Sequence, residues 1–295
     1  MADPAWTLLV AVRFAHDAAL TALFGLSLFP FYAPGASGRL KPWLVLAALA
    51  SLLTTIGWFA ATVGEMSGHM ADAASPAMLW SVIRDMAFGR LAVARIALAV
   101  LAVVLALRPG GRMALMLVSG LLLASLAGAG HARLDSGGLG PVTDALHLLA
   151  AGAWIGGLAG LAATLAGLGP APTAETLVRF GGQVRGFSHM GYGAVAVLVG
   201  TGLINGARLV GSAKNLVSTP YGQLLSVKVA LFLGMLALAA VNRLWISPAL
   251  TRPPPESDSR PWLRRLARHV AAEQVLALLV LAAVAVLGVL DPAGG

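Results

Sequence analysis

Long apolar runs separated by short polar segments dominate this chain. A membrane-spanning helix needs about 20 mostly apolar residues, because each residue adds about 1.5 Å toward crossing a hydrocarbon core about 30 Å thick. Eight segments meet this requirement, and each is predicted to be a spanning helix. Their ranges are 6–30, 42–63, 88–108, 112–131, 142–167, 187–209, 221–245 and 267–290. The pattern predicts an all-α polytopic membrane protein in which 1–295 form a single helical domain.

The longer segment between the second and third spans contains a start signal for a further helix. Ser75 is suited to cap a helix, and Pro76 is suited to its first position. Helical spacing then places five apolar side chains on one face, namely Met78, Leu79, Val82, Ile83 and Met86. We therefore expect a short interfacial helix near 75–87 that lies on the bilayer surface.

Composition supports the membrane assignment. Of the 295 residues, 58% are hydrophobic and 11% are charged, against about 25% charged in soluble domains. The net charge of +8 does not indicate nucleic-acid binding, because the basic residues lie between apolar segments and form no continuous basic face. The chain has no cysteine, which excludes disulfides, thiolate metal sites and iron–sulfur clusters.

The distribution of lysine and arginine predicts the orientation of the spans. Twelve basic residues fall on one side and five on the other. The twelve are Arg39, Lys41, Arg108, Arg112, Arg179, Arg185, Arg243, Arg252, Arg260, Arg264, Arg265 and Arg268, and the five are Arg84, Arg90, Arg133, Arg208 and Lys214. The positive-inside rule places the twelve in the cytoplasm, so both termini face the periplasm of a Gram-negative host. The proline-rich segment 251–261 is then a cytoplasmic linker.

Two short patterns recur along the chain and indicate an internal repeat. The matching residues are His16 and Gly25 with His147 and Gly156, and Gly89 and Arg95 with Gly222 and Lys228. The offsets are 131 and 133 residues, so halves 1–135 and 136–295 would insert in the same orientation as a parallel repeat. The two histidines would then lie at related depths and face each other across the repeat axis.

Ionisable residues inside the spans are the candidates for chemistry, since each costs about 2.5–3.5 kcal/mol to insert. They cluster toward the predicted periplasmic side. Imidazole and thioether groups are cysteine-free ligands for Cu(I), and imidazole also suits Cu(II). The candidate metal ligands are His16, His131, Asp144, His147, Met66, His69 and Met70, and the supporting polar or ion-pair residues are Asp17, Glu65, Arg95 and Lys228. Asp144 and His147 share a helix face, so the carboxylate is either a ligand or an acceptor that fixes the imidazole tautomer.

Each candidate also has a purely structural interpretation. A lone histidine in a membrane is often bonded to a neighbouring helix, and methionine is an ordinary interfacial residue. Arg95 and Lys228 could simply pair with the aspartates of the same region. Trp154, Gly156 and Gly157 are expected to serve packing, because small residues let helices approach closely. The clustering on one side favours a functional site.

The run from Asp144 through His147 and Trp154 to Gly157, D-x-x-H-x6-W-x-G-G, resembles the signature helix of the copper-resistance protein D family. Shorter matches extend the resemblance over most of the chain, most strongly over 128–245. They are Gly130-His131-Ala132, Arg185-Gly-Phe-Ser188, Thr201-Gly202, Thr219-Pro-Tyr-Gly222, and Phe88-Gly89 with Arg95.

The resemblance implies an eight-helix inner-membrane protein that handles copper. Uptake from the periplasm to the cytoplasm is the activity usually proposed for the family, often beside a small periplasmic copper-binding protein of the CopC type. Metal candidacy carries over to His16, His131, Asp144 and His147. The chain has His189 after Ser188 where the family often has arginine, so His189 receives no functional role.

Three functions remain open on the sequence. In a copper permease, the 65–70 loop and His131 collect the ion, which then passes to a site formed by His16 and His147. In a b-type haem protein, these two histidines are axial ligands and nearby glycines make room for the macrocycle. A copper sensor or docking protein binds the ion without transporting it.

No enzyme is expected unless the haem alternative holds. The chain has no nucleophile elbow, no H-E-x-x-H and no ATP-binding G-x-x-x-x-G-K-[ST] motif. The expected partners are membrane lipid and a CopC-like protein, the expected metal is Cu(I) or Cu(II), and the sequence does not fix the oligomeric state.

Overall fold

The computed structural model describes residues 4–128, 139–169, 172–210, 212, 214–248 and 260–290, and these contain helices and no strands. We label the helices α1 (Pro4–Tyr32), α2 (Ser37–Ser67), α3 (Pro76–Asp85), α4 (Ala87–Leu107), α5 (Arg112–Ala124), α6 (Leu139–Ala166), α7 (Ala174–Val210), α8 (Asn215–Ser218), α9 (Pro220–Val241) and α10 (Arg260–Leu287). Two 3₁₀ helices, Met70–Ala74 and Ser125–Gly128, and a π-helical turn, Asn242–Ile246, complete the described elements.

The structure confirms the polytopic all-α prediction. Within the described part of the chain, seven helices are long and apolar enough to cross a membrane, and Arg112–Ala127 forms a shorter apolar helix. The predicted span 112–131 is therefore described only as far as Gly128.

Two predicted boundaries are wrong. The helix α7 begins at Ala174 and not near residue 187, because the polar segment before the apolar run is itself helical and is supported by an Arg179–Glu175 ion pair. The helix α10 begins at Arg260, inside the predicted linker, because Pro261 is tolerated in a first helical turn. The remainder of that linker, 251–259, lies outside the described residues.

The predicted short helix is confirmed as α3. The Met78 backbone N–H donates to Ser75 Oγ at 3.4 Å, and Pro76 occupies the first turn. Val82 is buried against Phe59, whereas Trp80 is 61% exposed. This helix lies beside α2 and α4 at the same end of the bundle.

The helices α1 and α6 form the centre of the bundle. Both pack against α5 and α10, while α1 also packs on α2 and α6 on α7. They cross at Gly25 and Gly156, where a β-carbon on either residue would overlap the backbone of the other helix. Gly160 lies against the Phe29 ring one turn farther along. Small residues therefore let the two helix backbones touch.

A second pair of glycines has matching surroundings at the starts of α4 and α9. A β-carbon at Gly89 would overlap the Val82 carbonyl, and one at Gly222 would overlap the Asn215 carbonyl. In each case the carbonyl belongs to a short helix seven residues earlier in the chain. Both long helices thus begin against the backbone of a preceding short helix.

One end of the bundle joins the beginning of α1 to the end of α10. Arg13 Nη1 donates to Gly288 O at 2.9 Å. We call this end, which also holds the starts of α6 and α9, the N-terminal face.

The glycine crossing can be tested by Gly156→Ala. We expect a loss of about 1–3 kcal/mol in unfolding free energy, because the added methyl group has no space between α1 and α6. The matched control is Gly200→Ala on α7, where a β-carbon meets no atom within 4 Å. Thermal unfolding in detergent compares the two, and equal stability of both variants would contradict the assigned contact.

Candidate functional site

A cavity of about 580 Å³ opens near the N-terminal face between α1, α6, α7, α9 and α10. Its wall includes Trp154, whose ring meets the Phe232 ring edge-on, with 5.7 Å between the ring centroids. Most of the lining is apolar. The polar lining residues are Arg13, Asp17, Asp144, His147, Asn205, Tyr221 and Lys228. The size and the few convergent polar groups are typical of a ligand site.

A threonine on α7 fixes the orientation of His147. The ring's Nδ1 lies 2.9 Å from Thr201 Oγ1. The Thr201 hydroxyl already donates its single proton to Val197 O at 2.6 Å, so its oxygen accepts the proton on Nδ1. The neutral ring therefore carries its lone pair on Nε2. Because His147 lines the cavity, this nitrogen is the one available to a ligand there.

His16 is held in the same way by α2. Its Nδ1 lies 3.3 Å from Thr54 Oγ1, and that hydroxyl donates to Ala50 O at 2.7 Å. The ring is 2% exposed, and its Nε2 has no hydrogen-bond partner among the described residues. Both histidines thus have the same tautomer, but His16 is enclosed by packing and does not line the cavity.

The expectation that His16 and His147 face each other across the helix crossing is wrong. Each lies nine residues before the glycine at the crossing, which is about 2.5 helical turns and places it on the far side of its helix. His16 accordingly bonds to α2, and His147 bonds to α7.

A haem held between these two histidines does not fit the structure. The two imidazoles are bonded to different helices, α2 and α7. The haem hypothesis requires nearby glycines to make room for the macrocycle, and at Gly25 and Gly156 there is no such room, because the backbones of α1 and α6 meet there.

Two further groups in the cavity offer oxygen lone pairs. Asn205 lies one turn beyond Thr201 on α7, and its Oδ1 is buried without a hydrogen-bond partner among the described residues. Asp144 lies one turn before His147 on the wall formed by α6. Over the described ranges, no three His, Asp or Glu side chains are clustered to hold a metal ion. A ligand set in this cavity therefore needs the asparagine oxygen as well as imidazole and carboxylate.

Cationic side chains share this region. Lys228 lines the cavity within electrostatic range of Asp144 and His147. Arg13 Nε lies 3.9 Å from Asp17, and its guanidinium lies 5.4 Å from the centroid of the Trp58 ring. Arg95, on α4, donates from Nε to Ser125 Oγ at 2.9 Å.

The remaining predicted ligands lie elsewhere. Glu65, Met66 and His69 are exposed at the end of α2 and in the turn that follows, and Met70 starts the first 3₁₀ helix. None of them lines the cavity. His131 lies outside the described residues. Gly157 packs against the Tyr32 side chain at the end of α1 and against Phe187 of α7.

Sequence reasoning missed several polar residues of this region. Thr54, Thr201 and Asn205 are polar residues within apolar spans, and polarity at that depth was their signal. Thr201 was noted only as part of the family resemblance and was given no role. The residue Glu273 was also missed, although a carboxylate in a predicted span is a clear signal.

The histidine tautomer can be measured by ¹⁵N NMR of histidine-labelled protein at neutral pH. The His147 signals, assigned by their loss in His147→Gln, should show a protonated Nδ1 and an unprotonated Nε2. Thr201→Val should abolish this preference, because the acceptor of the Nδ1 proton is lost. Thr62→Val is the matched control, since Thr62 also donates to a carbonyl in its helix at 2.8 Å but contacts no histidine. An Nε2-protonated ring in the unsubstituted protein would contradict the assignment.

Comparison with known proteins gives consistent matches along the chain. The chain is 32% identical over 308 aligned positions to "Copper resistance protein D" of Pseudomonas syringae pv. tomato, covering 99% of this chain and 98% of the relative. It is 29% identical to "Inner membrane protein YebZ" of Escherichia coli, covering 96% and 98%. "Copper transport protein CutJ" of Bacillus subtilis is 40% identical over 124 residues, covering 42% of this chain and 22% of that protein.

No solved structure matches. The family model described as "Copper resistance protein D-like, N-terminal domain" matches residues 1–141. The model described as "Copper resistance protein D" matches residues 182–287. These matches flank the helix that carries His147, and together they show that the chain belongs to the copper resistance protein D family.

Proposed function

We propose that this chain is a copper permease of the bacterial inner membrane that takes up copper ions from the periplasm. The relatives named for copper resistance, copper transport and the inner membrane support this assignment. The observation that carries it is the fixed Nε2 lone pair of His147 at the wall of a cavity between five helices. A transported ion would bind there as substrate.

The ligand chemistry of the cavity suits copper. Imidazole nitrogen binds Cu(I) and Cu(II), and the Asp144 carboxylate and Asn205 Oδ1 supply oxygen donors. Thr201 accepts the hydrogen bond from Nδ1 of His147 and so leaves the Nε2 lone pair free to bind the ion. In metal sites this acceptor is usually a carboxylate or a carbonyl group.

A charged Lys228 would weaken this site. Its ammonium group lies within electrostatic range of Asp144 and His147, so it repels a bound cation and offsets part of the attraction of the carboxylate. A transport path needs sites that an ion can leave, and a cation beside the ligands provides this property.

The two halves of the bundle are a parallel repeat in this proposal, with halves 1–135 and 136–295. The support is threefold: the paired His–Thr hydrogen bonds, the contact of Gly25 with Gly156, and the equal surroundings of Gly89 and Gly222. Of His16 and His147, only His147, in the second half, lines the cavity. His16 is then the closed counterpart, which stabilises α1 against α2.

The N-terminal face is periplasmic in this proposal, because twelve basic residues in the connecting segments and at the span ends belong to the opposite side. The exposed Met66 and His69, with Met70 and His131, would receive copper before it enters the cavity. A periplasmic CopC-like protein is the proposed donor, and its docking would use this same face.

Copper binding tests the site directly. The purified protein should bind copper in stoichiometric amount by elemental analysis and show no Soret band. His147→Ala should weaken binding at least about tenfold, or about 1.4 kcal/mol, because the nitrogen ligand is lost. Thr201→Val should weaken it about 10–100-fold through the lost orienting bond.

Two controls accompany this measurement. His189→Ala removes an exposed histidine that lies outside the cavity, and Thr62→Val removes a hydroxyl without touching a histidine, so both should bind as the unsubstituted protein does. Unchanged binding in His147→Ala would refute the site. A Soret band that disappears in the His16 and His147 variants would instead identify a haem protein.

Flux separates the permease from a sensor that binds without transport. Liposomes containing the protein and an enclosed copper chelator should accumulate copper at a rate well above empty liposomes. His147→Ala should lower this rate about tenfold or more, while His189→Ala should not change it. Stoichiometric binding without flux would favour the sensor or docking function.

A further inference from the structure

A buried carboxyl group lies in the half of the bundle away from the cavity. Glu273, on α10, is 1% exposed. Asn242, directly after α9, donates from Nδ2 to Glu273 Oε1 at 2.5 Å. Neither residue lines the cavity of the N-terminal face, so this pair belongs to a separate polar site.

No ion pair to Glu273 occurs within the part of the chain that the structure describes. An ionised carboxylate without a cation is strongly disfavoured inside a membrane bundle, whereas the protonated acid is neutral. The Asn242 N–H group can donate to the carbonyl oxygen of this acid.

Two buried polar atoms near Glu273 have no hydrogen-bond partner among the described residues. His269 lies one turn before Glu273 on α10, and its Nδ1 is buried without a partner among the described residues. Asn242 Oδ1 is likewise buried and without a partner there. Asn242 also begins the π-helical turn, a local irregularity that is frequent at functional sites.

Other titratable groups near this site are few. The helices α1, α6 and α9 and the π-helical turn pack against α10. On the side away from the cavity they contribute Tyr32 and Arg243, and Arg243 Nε donates to Tyr192 Oη at 3.2 Å. The remaining titratable residues of these elements lie toward the N-terminal face. They are Arg13, His16, Asp17, Asp144, His147, Tyr221 and Lys228. The start of α10 itself contributes Arg260, Arg264, Arg265, Arg268 and His269.

We propose that Glu273 is a proton-binding site, in which the acid is protonated in the enclosed state and takes up its proton from the opposite face through His269. Release converts the neutral acid into a carboxylate and one proton. The partly exposed His269 lies between Glu273 and that face, so it can pass the proton on.

Proton release at Glu273 would also couple to transport, and this part rests on the proposed function. A copper ion entering this half of the bundle is stabilised by an ionised Glu273, so ion and proton compete for the same carboxylate. Inward movement of the ion is then exchanged for outward movement of a proton.

Infrared spectroscopy tests the proton site without copper. The chain has four glutamates, Glu65, Glu175, Glu256 and Glu273. Among the three that the structure describes, only Glu273 is buried. Protein labelled with ¹³C-glutamate should therefore show one protonated, isotope-shifted carboxyl band at neutral pH. The band should be absent in Glu273→Gln, which keeps the side-chain size, and present in Glu175→Gln, an exposed control. No such band in the unsubstituted protein would overturn the proposal, and this measurement does not depend on any variant folding.

Copper flux into liposomes tests the coupling. Acidifying the lumen should speed copper uptake by the unsubstituted protein and by Glu175→Gln, and Glu273→Gln should lose this response. A pH response retained in Glu273→Gln would refute the coupling. If the unsubstituted protein shows no flux at all, the proposed function fails, and the infrared band still decides whether Glu273 binds a proton.

Discussion

Contact between the backbones of α1 and α6 at Gly25 and Gly156 is the constraint on which the rest of the bundle depends. Because the two central helices are this close, each covers one face of the other, and no side chain can project between them at the crossing. Polar side chains on the far faces must find their partners on the outer helices. That is why His16 bonds to α2 and His147 bonds to α7, and why the cavity forms beside the central pair instead of within it.

The fold was largely predictable because hydrophobic length is a strong local signal. The existence of the spans and of α3 follows from apolar runs and from Ser75 and Pro76. The starts of α7 and α10 were not predictable from the same signal, since a helix can continue into a polar segment where hydropathy falls. Boundaries of this kind depend on turn-to-turn bonds such as Arg179–Glu175.

The candidate site was predictable only in part. Residue types and spacing identified His147 and Asp144 as neighbours on one face, which helical geometry guarantees. The partners Thr201 and Asn205 depend on how α6 and α7 are rotated against each other, and no local pattern contains that rotation. The same limitation explains the wrong expectation about His16, because equal spacing in two repeats does not reveal which side of the helix faces the crossing.

The bond from Arg13 to Gly288 has a consequence for how the protein is made. It joins the first helix to the residue that follows the last one, and both residues line the same cavity. During synthesis, the wall of that cavity stays incomplete until α10 has left the ribosome and entered the bilayer. A nascent or truncated chain therefore has no finished compartment for an ion.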